Sequence, residues 1–264
     1  MTDRNNLIKD TLHQLREMRY TGMADELTEV VSNPENQNLS TYELLSRIVD
    51  AEYRRRNDTH IKRLTKLAGF TDLGASLDQL NYKPERKLNK NIIDQLRTND
   101  YILNHRNVII EGPTGAGKSF VAQALGYHAC HGGYHVKYYG MFDLAEDFAT
   151  QNTPEEIMEL LKKLAKPDVL IIDDFMMNNV FNYTQEYLLK LIDLRYKKGS
   201  IIISSQLMDV EWKHKITDPA IGEAILDRLV HNAFRITIEG SSMRETKEYT
   251  KHETPSKKGR AILQ

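Results

Sequence analysis

Residues 108–119 read Val-Ile-Ile-Glu-Gly-Pro-Thr-Gly-Ala-Gly-Lys-Ser, and this stretch decides the fold. The apolar run Val108 to Ile110 predicts a buried strand, and Gly112 to Ser119 fits the phosphate-loop pattern G-x-x-x-x-G-K-[ST]. A helix is predicted to begin near Lys118, so the motif lies between a strand and a helix, as a phosphate loop requires. The alternative is a glycine-rich turn that fits the pattern by chance.

The residue types of this loop predict an ATP site. Glycines let the main chain close around phosphate oxygens, and the helix that follows presents free amides to the anion. Lys118 is expected to reach the β- and γ-phosphates, and the Ser119 hydroxyl is expected to bind Mg²⁺. The predicted nucleotide contacts are Gly112, Pro113, Thr114, Gly115, Ala116, Gly117, Lys118 and Ser119.

A second apolar run, Val169 to Ile172, ends in the carboxylates Asp173 and Asp174. In sheets of this kind ligands bind at the carboxyl ends of the strands. Asp173 therefore suits Mg²⁺, directly or through water, and Asp174 could polarise an attacking water. The alternative is an acidic turn after a strand, which alone would be common.

Three further residues are candidates for sensing the γ-phosphate. Ser204 ends the strand at Ile201–Ile203, although a polar exit from a strand explains it equally well. Arg228 and Arg244 could each stabilise transition-state charge, from the same or a neighbouring subunit. The alternative for Arg228 is an ion pair with Asp227 or a nearby glutamate.

The second half of the chain predicts an α/β fold with a five-stranded parallel sheet flanked by helices on both faces. Short apolar runs alternate with amphipathic segments there. The predicted strands are 108–110, 135–139, 169–172, 201–203 and 234–238, and the predicted helices are 117–131, 142–165, 184–198 and 218–230.

The remaining segments complete the expected domain organisation. Residues 1–85 have helical periodicity, which predicts an all-helical domain. Its basic residues make it the candidate domain for binding DNA or a partner. Within it, Ser40 and Glu43 form a possible capping box that opens a long helix, and Gly69 is a natural cap at its end. The other expected divisions are a linker at 86–104, the catalytic domain at 105–248 and a polar, disordered tail at 249–264.

Composition restricts the class of protein. The 264 residues carry a formal net charge of −1, so global charge does not indicate a nucleic-acid binder. No apolar run is long enough for a membrane span, and the first residues lack the apolar core of a secretory signal. Cys130 is the only cysteine, which excludes an intramolecular disulfide and fits a cytoplasmic location.

Basic residues are nevertheless concentrated in the long predicted helix. Asp58 is the only acid among them, and three members lie on roughly one side, as a surface that follows DNA phosphates would require. The alternative is a solvated helix face. The candidate DNA contacts are Arg54, Arg55, Arg56, Lys62, Arg63 and Lys66.

Several stretches resemble AAA+ ATPases of the branch that contains helicase loaders and transposition helpers. The resemblance is closest to the IstB-like ATP-binding proteins of insertion sequences, and it covers about residues 7–248. It rests on Leu15-Arg16, Gly22-Met-Ala24, Glu52 to Arg56, Leu67-Ala-Gly-Phe70, Ser204-Ser-Gln-Leu207, Glu211-Trp212, Asp218-Pro-Ala-Ile221, Ala224 to Ala233 and Ser242-Met-Arg244.

The resemblance implies an ATPase that oligomerises on double-stranded DNA and helps a transposase to select its target. Nucleotide would lie between subunits, with Arg228 as the arginine finger acting in trans and Arg244 as the second sensor. Ser204 or Ser205 would occupy the first sensor position. Two departures from the broader AAA+ pattern are Asp174, where glutamate is usual, and the lack of an obvious helical lid after the last strand. The aspartate is expected to slow hydrolysis.

Two alternatives remain. A replicative helicase loader of the DnaC type would share the ATPase core, but its partner would be a helicase ring and its nucleic acid single-stranded. A small-molecule P-loop kinase would need an acceptor pocket and a basic lid. The sequence contains neither feature, and a kinase would leave the helical N-terminal domain unexplained.

Overall fold

The computed structural model describes residues 2–33, 35–36, 39–177 and 182–240. The chain divides into two compact units, residues 1–63 and 64–264. The division lies inside the long helix, earlier than the boundary near residue 85 that the sequence suggested. Arg244 and the expected tail at 249–264 lie outside the described residues.

The first unit is helical. It contains α1 (Thr2–Glu17), α2 (Thr21–Ser32) and most of α3 (Thr41–Ala68). The capping box at the start of α3 is confirmed, since the Ser40 amide donates to Glu43 at 2.8 Å and the Glu43 amide donates to the Ser40 hydroxyl at 3.3 Å. Gly69, with φ of +77°, follows the last residue of α3, as expected of a helix cap.

The second unit is built on a sheet of five parallel strands in the order β2-β3-β4-β1-β5. The α/β fold with a parallel sheet is therefore confirmed. The strands are β1 (Val108–Glu111), β2 (Val136–Gly140), β3 (Val169–Asp173), β4 (Ser200–Ser205) and β5 (Phe234–Thr237). The helices after α3 are α4 (Lys90–Leu96), α5 (Asp100–Leu103), α6 (Lys118–His131), α7 (Met141–Thr150), α8 (Pro154–Ala165), α9 (Asn182–Arg195), α10 (Asp209–Trp212) and α11 (Pro219–Val230).

Alternation along each strand creates a hydrophobic core on each face of the sheet. Val108 and Ile110 belong to one core together with residues of α6, whereas Ile109 belongs to the other with residues of α7, α8, α9 and α11. Central strands such as β3 are buried over their whole length, which explains their uninterrupted apolar sequence. Among the helices that the structure describes, none is both long enough and apolar enough to cross a membrane.

The segment 86–104 is part of the second unit and is not the linker that the sequence suggested. Its apolar residues, including Ile93, Leu96 and Tyr101, are buried in the same core as Val108. Leu64 and Phe70, which follow the division between the units, belong to this core as well. The sheet unit therefore needs about forty residues before β1 to cover one of its faces, since parallel sheets are buried on both sides.

The single helix predicted over 142–165 is two helices. The break follows from a capping box in which the Glu156 amide donates to the Thr153 hydroxyl at 3.2 Å, while the Glu156 carboxylate accepts from the Thr153 amide. Pro154 then occupies the first turn of α8, where its missing amide hydrogen costs nothing.

Candidate nucleotide site and basic cleft

The phosphate loop, residues 112–119, joins the carboxyl end of β1 to α6. Two of its glycines are required by geometry. A Cβ at Gly112 would lie 2.1 Å from the carbonyl oxygen of Ile238, and Gly117 caps α6 in the left-handed region with φ of +87°. The loop therefore ends at the amino terminus of a helix, which is the geometry that binds anions.

Polar contacts hold the loop closed. The Ala116 amide donates to the Pro113 carbonyl at 3.2 Å, and the Thr114 hydroxyl donates to the Gln206 side chain at 2.7 Å. The Lys118 ammonium group donates to the same Pro113 carbonyl at 3.0 Å, and this lysine is 5% exposed. The cation predicted to bind phosphate thus lies at the loop itself.

The structure brings together three candidates from separate parts of the sequence. The Ser119 hydroxyl donates to Oδ1 of Asp173 at 3.0 Å, and the Ser204 hydroxyl donates to the same oxygen. Asp173, which is 4% exposed, ends β3 beside β4. Ser119, Asp173 and Ser204 therefore form one cluster at the carboxyl edge of the sheet.

This cluster fits Mg²⁺ bound together with a nucleotide. A hydroxyl and a carboxylate are hard oxygen ligands of the type that Mg²⁺ prefers, and Mg²⁺ at such sites keeps waters and binds substrate phosphates. Within the described ranges, no group of three or more His, Cys, Asp or Glu could hold a metal ion without a nucleotide. Ser119 and Asp173 would hold the ion, as the sequence suggested.

Asp174 lies beside this cluster. Its φ of +53° places it in the left-handed region, and its amide donates to Oδ1 of Asp173 at 3.1 Å. Its side chain is partly exposed and lines a cavity of about 700 Å³ together with Tyr138 and Gly140. The carboxylate is thus accessible to solvent next to the candidate metal ligand.

Ser204 and Ser205 have different surroundings. Only Ser204 contacts Asp173, since the Ser205 hydroxyl donates to the Phe175 carbonyl at 2.8 Å and accepts from the Trp212 ring nitrogen at 3.1 Å. Ser205 therefore anchors the turn after β4, and Ser204 remains the candidate sensor.

Sequence reasoning missed Arg86, which contacts the phosphate loop. This arginine is 7% exposed, and its guanidinium group donates to the Ala116 carbonyl. A Cβ built on Gly117 would lie 3.4 Å from the same group, and its buried Nε has no hydrogen-bond partner among the described residues. No motif marks the segment that contains Arg86, so the sequence carried no local signal for this contact.

Sequence reasoning also missed Tyr138, which was assigned only to a buried strand. Its hydroxyl donates to Oδ2 of Asp173 at 2.7 Å. Burial, followed by the negative charge of Asp173, raises the pKa of Tyr138 well above its usual range. The hydroxyl therefore stays protonated and is a permanent donor to the carboxylate.

Arg228 lies at the opposite end of the sheet from its own phosphate loop. The Asn107 side chain, directly before β1, donates to the Arg228 carbonyl at 3.1 Å. The four residues of β1 separate this point from the loop, a distance of about 13 Å at the usual rise of a strand. The Arg228 guanidinium pairs with Asp193 on α9, so the ion pair exists but not with the expected Asp227.

The basic residues of α3 do not share one environment, although all six are exposed. Arg56 pairs with the buried Glu52 at 2.6 Å and lies over the Tyr20 ring at 4.8 Å. Glu52 also accepts the amides of Gly22 at 2.7 Å and Met23 at 3.3 Å, at the start of α2. Burial opposes ionisation of Glu52, but the Arg56 contact and these amides outweigh it and lower the Glu52 pKa. Arg56 thus helps to hold α2 and α3 together.

Arg54, Arg55 and Lys62 instead line an open cleft of about 680 Å³, which we call the basic cleft. Among the described residues no ion pair engages these three side chains. Arg47 and Asp58 line the same cleft. Arg47 pairs with Glu26 and Glu29, which lie on α2. Arg63 and Lys66 lie further along α3, outside the cleft lining.

Comparisons with known proteins agree with the fold and with nucleotide binding. The sequence profile of the family described as IstB-like ATP binding protein matches residues 13–251. An insertion-sequence ATP-binding protein of Sinorhizobium fredii is 35% identical over 238 residues, which cover 90% of this chain and 96% of that protein.

Two solved structures share the fold of the second half. The crystal structure of DnaI superposes with a TM-score of 0.56 at 16% identity and covers 68% of this chain and 98% of that one. The DnaC helicase loader superposes with a TM-score of 0.51 at 16% identity, over 63% of this chain and 98% of that one.

Proposed function

This chain belongs to the family of IstB-like ATP binding proteins, and we propose that it is an AAA+ ATPase that assembles on duplex DNA and assists a transposase in target selection. The single observation that carries the ATPase proposal is the cluster of Ser119, Asp173 and Ser204 beside the phosphate loop. The DNA and transposase parts rest on the insertion-sequence relatives and on the basic cleft.

ATP binding and hydrolysis are assigned to residues at the carboxyl edge of the sheet. Loop amides and Lys118 would bind the phosphates, and Ser119 and Asp173 would hold Mg²⁺. When bound, Mg²⁺ would neutralise charge on the β- and γ-phosphates. Asp174 would accept a hydrogen bond from the attacking water, and Ser204 holds Asp173 in place by donating to Oδ1, the oxygen that also accepts from Ser119.

Nucleotide is proposed to lie between subunits of a homo-oligomer. Arg228 is at the far end of β1 and cannot reach the phosphates bound by its own loop. A guanidinium group in this position can act only on the nucleotide of a neighbouring subunit, where it would stabilise charge on the γ-phosphate. Assembly would then require exchange of the Asp193 ion pair for that phosphate. Arg244 remains a candidate for a second sensor.

The basic cleft is proposed to contact the DNA backbone. Arg54, Arg55 and Lys62 are exposed cations without ion pairs among the described residues, so their charge is available for phosphates. Such contacts position DNA without reading its sequence, and their strength falls as salt concentration rises. Glu26, Glu29 and Asp58 at the same cleft limit the attraction, which favours weak contacts repeated over many subunits.

The second candidate function is a helicase loader of the DnaC type. The fold shared with DnaC supports it, but the likeness at 16% identity concerns the fold alone. A loader would prefer single strands, whereas a transposition helper should prefer duplex.

One experiment separates these functions. Binding of a labelled duplex and of a single strand of equal length is measured by fluorescence anisotropy, with and without a non-hydrolysable ATP analogue and Mg²⁺. Sedimentation of the same samples gives the stoichiometry. We expect tight binding of duplex only with nucleotide, and several subunits on each duplex. Preference for the single strand would favour the loader, and binding independent of nucleotide would refute the proposed coupling.

A further inference from the structure

The two oxygens of Asp173 have different partners. Oδ1 accepts hydrogen bonds from Ser119 and Ser204 and from the Asp174 amide, so it faces the phosphate loop. Oδ2 accepts from the Tyr138 hydroxyl at 2.7 Å. The tyrosine and the donors near the phosphate loop therefore contact different oxygens of the same carboxylate.

Tyr138 is itself held in place. On β2, Tyr138 pairs with Ile171 of the neighbouring strand β3, and Ile171 lies two positions before Asp173. The Tyr138 ring lies 6.5 Å from that of Phe70, the residue before Thr71. Thr71 is fixed in turn by Gln123 on α6, which accepts the Thr71 amide at 2.8 Å. The donor thus has little freedom to follow a carboxylate that rotates.

We propose that Tyr138 is a positioning residue that fixes the carboxylate plane of Asp173 for Mg²⁺ through its hydrogen bond to Oδ2. The inference rests on the proposed Mg·ATP site and adds a residue that the sequence motif does not contain. Because the terminal torsion of an aspartate is broad, a carboxylate without this donor would sample orientations in which Oδ1 no longer faces Ser119. Binding of Mg²⁺ would then first have to restrict this rotation of the Asp173 carboxylate.

Tyr138→Phe tests the proposal, since it removes the hydroxyl and keeps the ring. The affinity for a fluorescent, non-hydrolysable ATP analogue is measured with Mg²⁺ and with EDTA, and the ratio of the two affinities reports the contribution of the metal. We expect this ratio to fall about threefold to tenfold while affinity in EDTA is unchanged. This is less than the full loss of a hydrogen bond to a charged group, because Ser119, Ser204 and the Asp174 amide still donate to Oδ1.

Tyr139→Phe is the matched control. Tyr139 is the next residue on β2, but it packs against the other core, and its hydroxyl pairs with Asp147. We expect the metal ratio of this variant to equal that of the unmodified protein. Equal thermal midpoints of the two variants would establish that Tyr138→Phe keeps the fold.

A double-mutant cycle identifies the route of the effect. In an Asp173→Asn background, Tyr138→Phe should leave the metal ratio unchanged, because the group it positions is no longer a carboxylate. An unchanged ratio in the single variant, an equal fall in EDTA, or a further fall in the Asp173→Asn background would each overturn the inference. If the unmodified protein binds the analogue neither with EDTA nor with Mg²⁺, the proposed ATP site is wrong. This result differs from every outcome that overturns the role of Tyr138 alone.

Discussion

Arg86 offers a direct test of how the phosphate loop is held. Its buried guanidinium group donates to the Ala116 carbonyl. The loop is also held by a main-chain hydrogen bond and by the side chains of Thr114, Lys118 and Ser119. Arg86→Met keeps most of the side-chain volume and removes the donor and its charge. The loop would then populate conformations other than the one that binds phosphate.

The expected magnitude follows from this one contact. A hydrogen bond to a charged group contributes about 1.5–3 kcal/mol, and part of this is recovered when water solvates the free Ala116 carbonyl. A remaining loss of about 1.4 kcal/mol corresponds to a tenfold smaller population of the binding conformation and a tenfold weaker apparent affinity. Arg86→Met also removes a positive charge near the bound phosphates, and this would increase the loss of affinity.

The assay is titration with a fluorescent ATP analogue, with Lys87→Met as the control. Lys87 is the next residue, carries the same charge and forms an exposed pair with Glu239 at 2.8 Å. We expect Arg86→Met to weaken binding about tenfold and Lys87→Met to change it less than twofold, since exposed ion pairs contribute little. Equal affinities of Arg86→Met and the unmodified protein would refute the reasoning, and equal losses in both variants would reduce it to a general effect of charge.

Three further variants test the α3 surface and the sheet unit. Arg54→Gln with Arg55→Gln should weaken duplex binding and reduce the salt slope by about two, while ATP binding is retained; an unchanged slope would remove the basic cleft from the DNA contact. Arg56→Gln should lower the thermal midpoint without reducing that slope, because Arg56 pairs with Glu52, and a normal midpoint with a reduced slope would reverse this assignment. Arg195→Met should lower the free energy of unfolding in urea by about 3–5 kcal/mol. This arginine is 1% exposed and donates five hydrogen bonds to the main-chain carbonyls of residues 164, 165, 167, 168 and 200. A change below about 1 kcal/mol would contradict this structural role.

Features that depend on neighbours in sequence could be predicted. The phosphate loop is defined by eight consecutive residues, and the strand that ends in Asp173 is marked by an apolar run followed by acids. Because carboxyl ends of parallel strands meet at one edge, Ser119, Asp173 and Ser204 could be placed near one another without coordinates. The break between α7 and α8 is marked locally as well, since Thr153, Pro154 and Glu156 form a recognisable helix start, but the prediction of one helix over 142–165 overlooked it.

Features that depend on distant contacts could not be predicted. Arg86 reaches Ala116 across 30 residues, and Tyr138 reaches Asp173 across 35. Neither residue differs in its local sequence from an ordinary surface arginine or strand tyrosine. Arg56 was grouped with its basic neighbours because the sequence does not reveal that Glu52 is buried beside Gly22.

The proposed function depends most on the phosphate loop binding ATP through Lys118. The most direct measurement is calorimetric titration of the unmodified protein and of Lys118→Ala with an ATP analogue and Mg²⁺, followed by sedimentation of both proteins with duplex DNA. We predict saturable binding and nucleotide-dependent assembly for the unmodified protein and loss of both for Lys118→Ala. Unchanged nucleotide affinity in Lys118→Ala would contradict the assignment of the site.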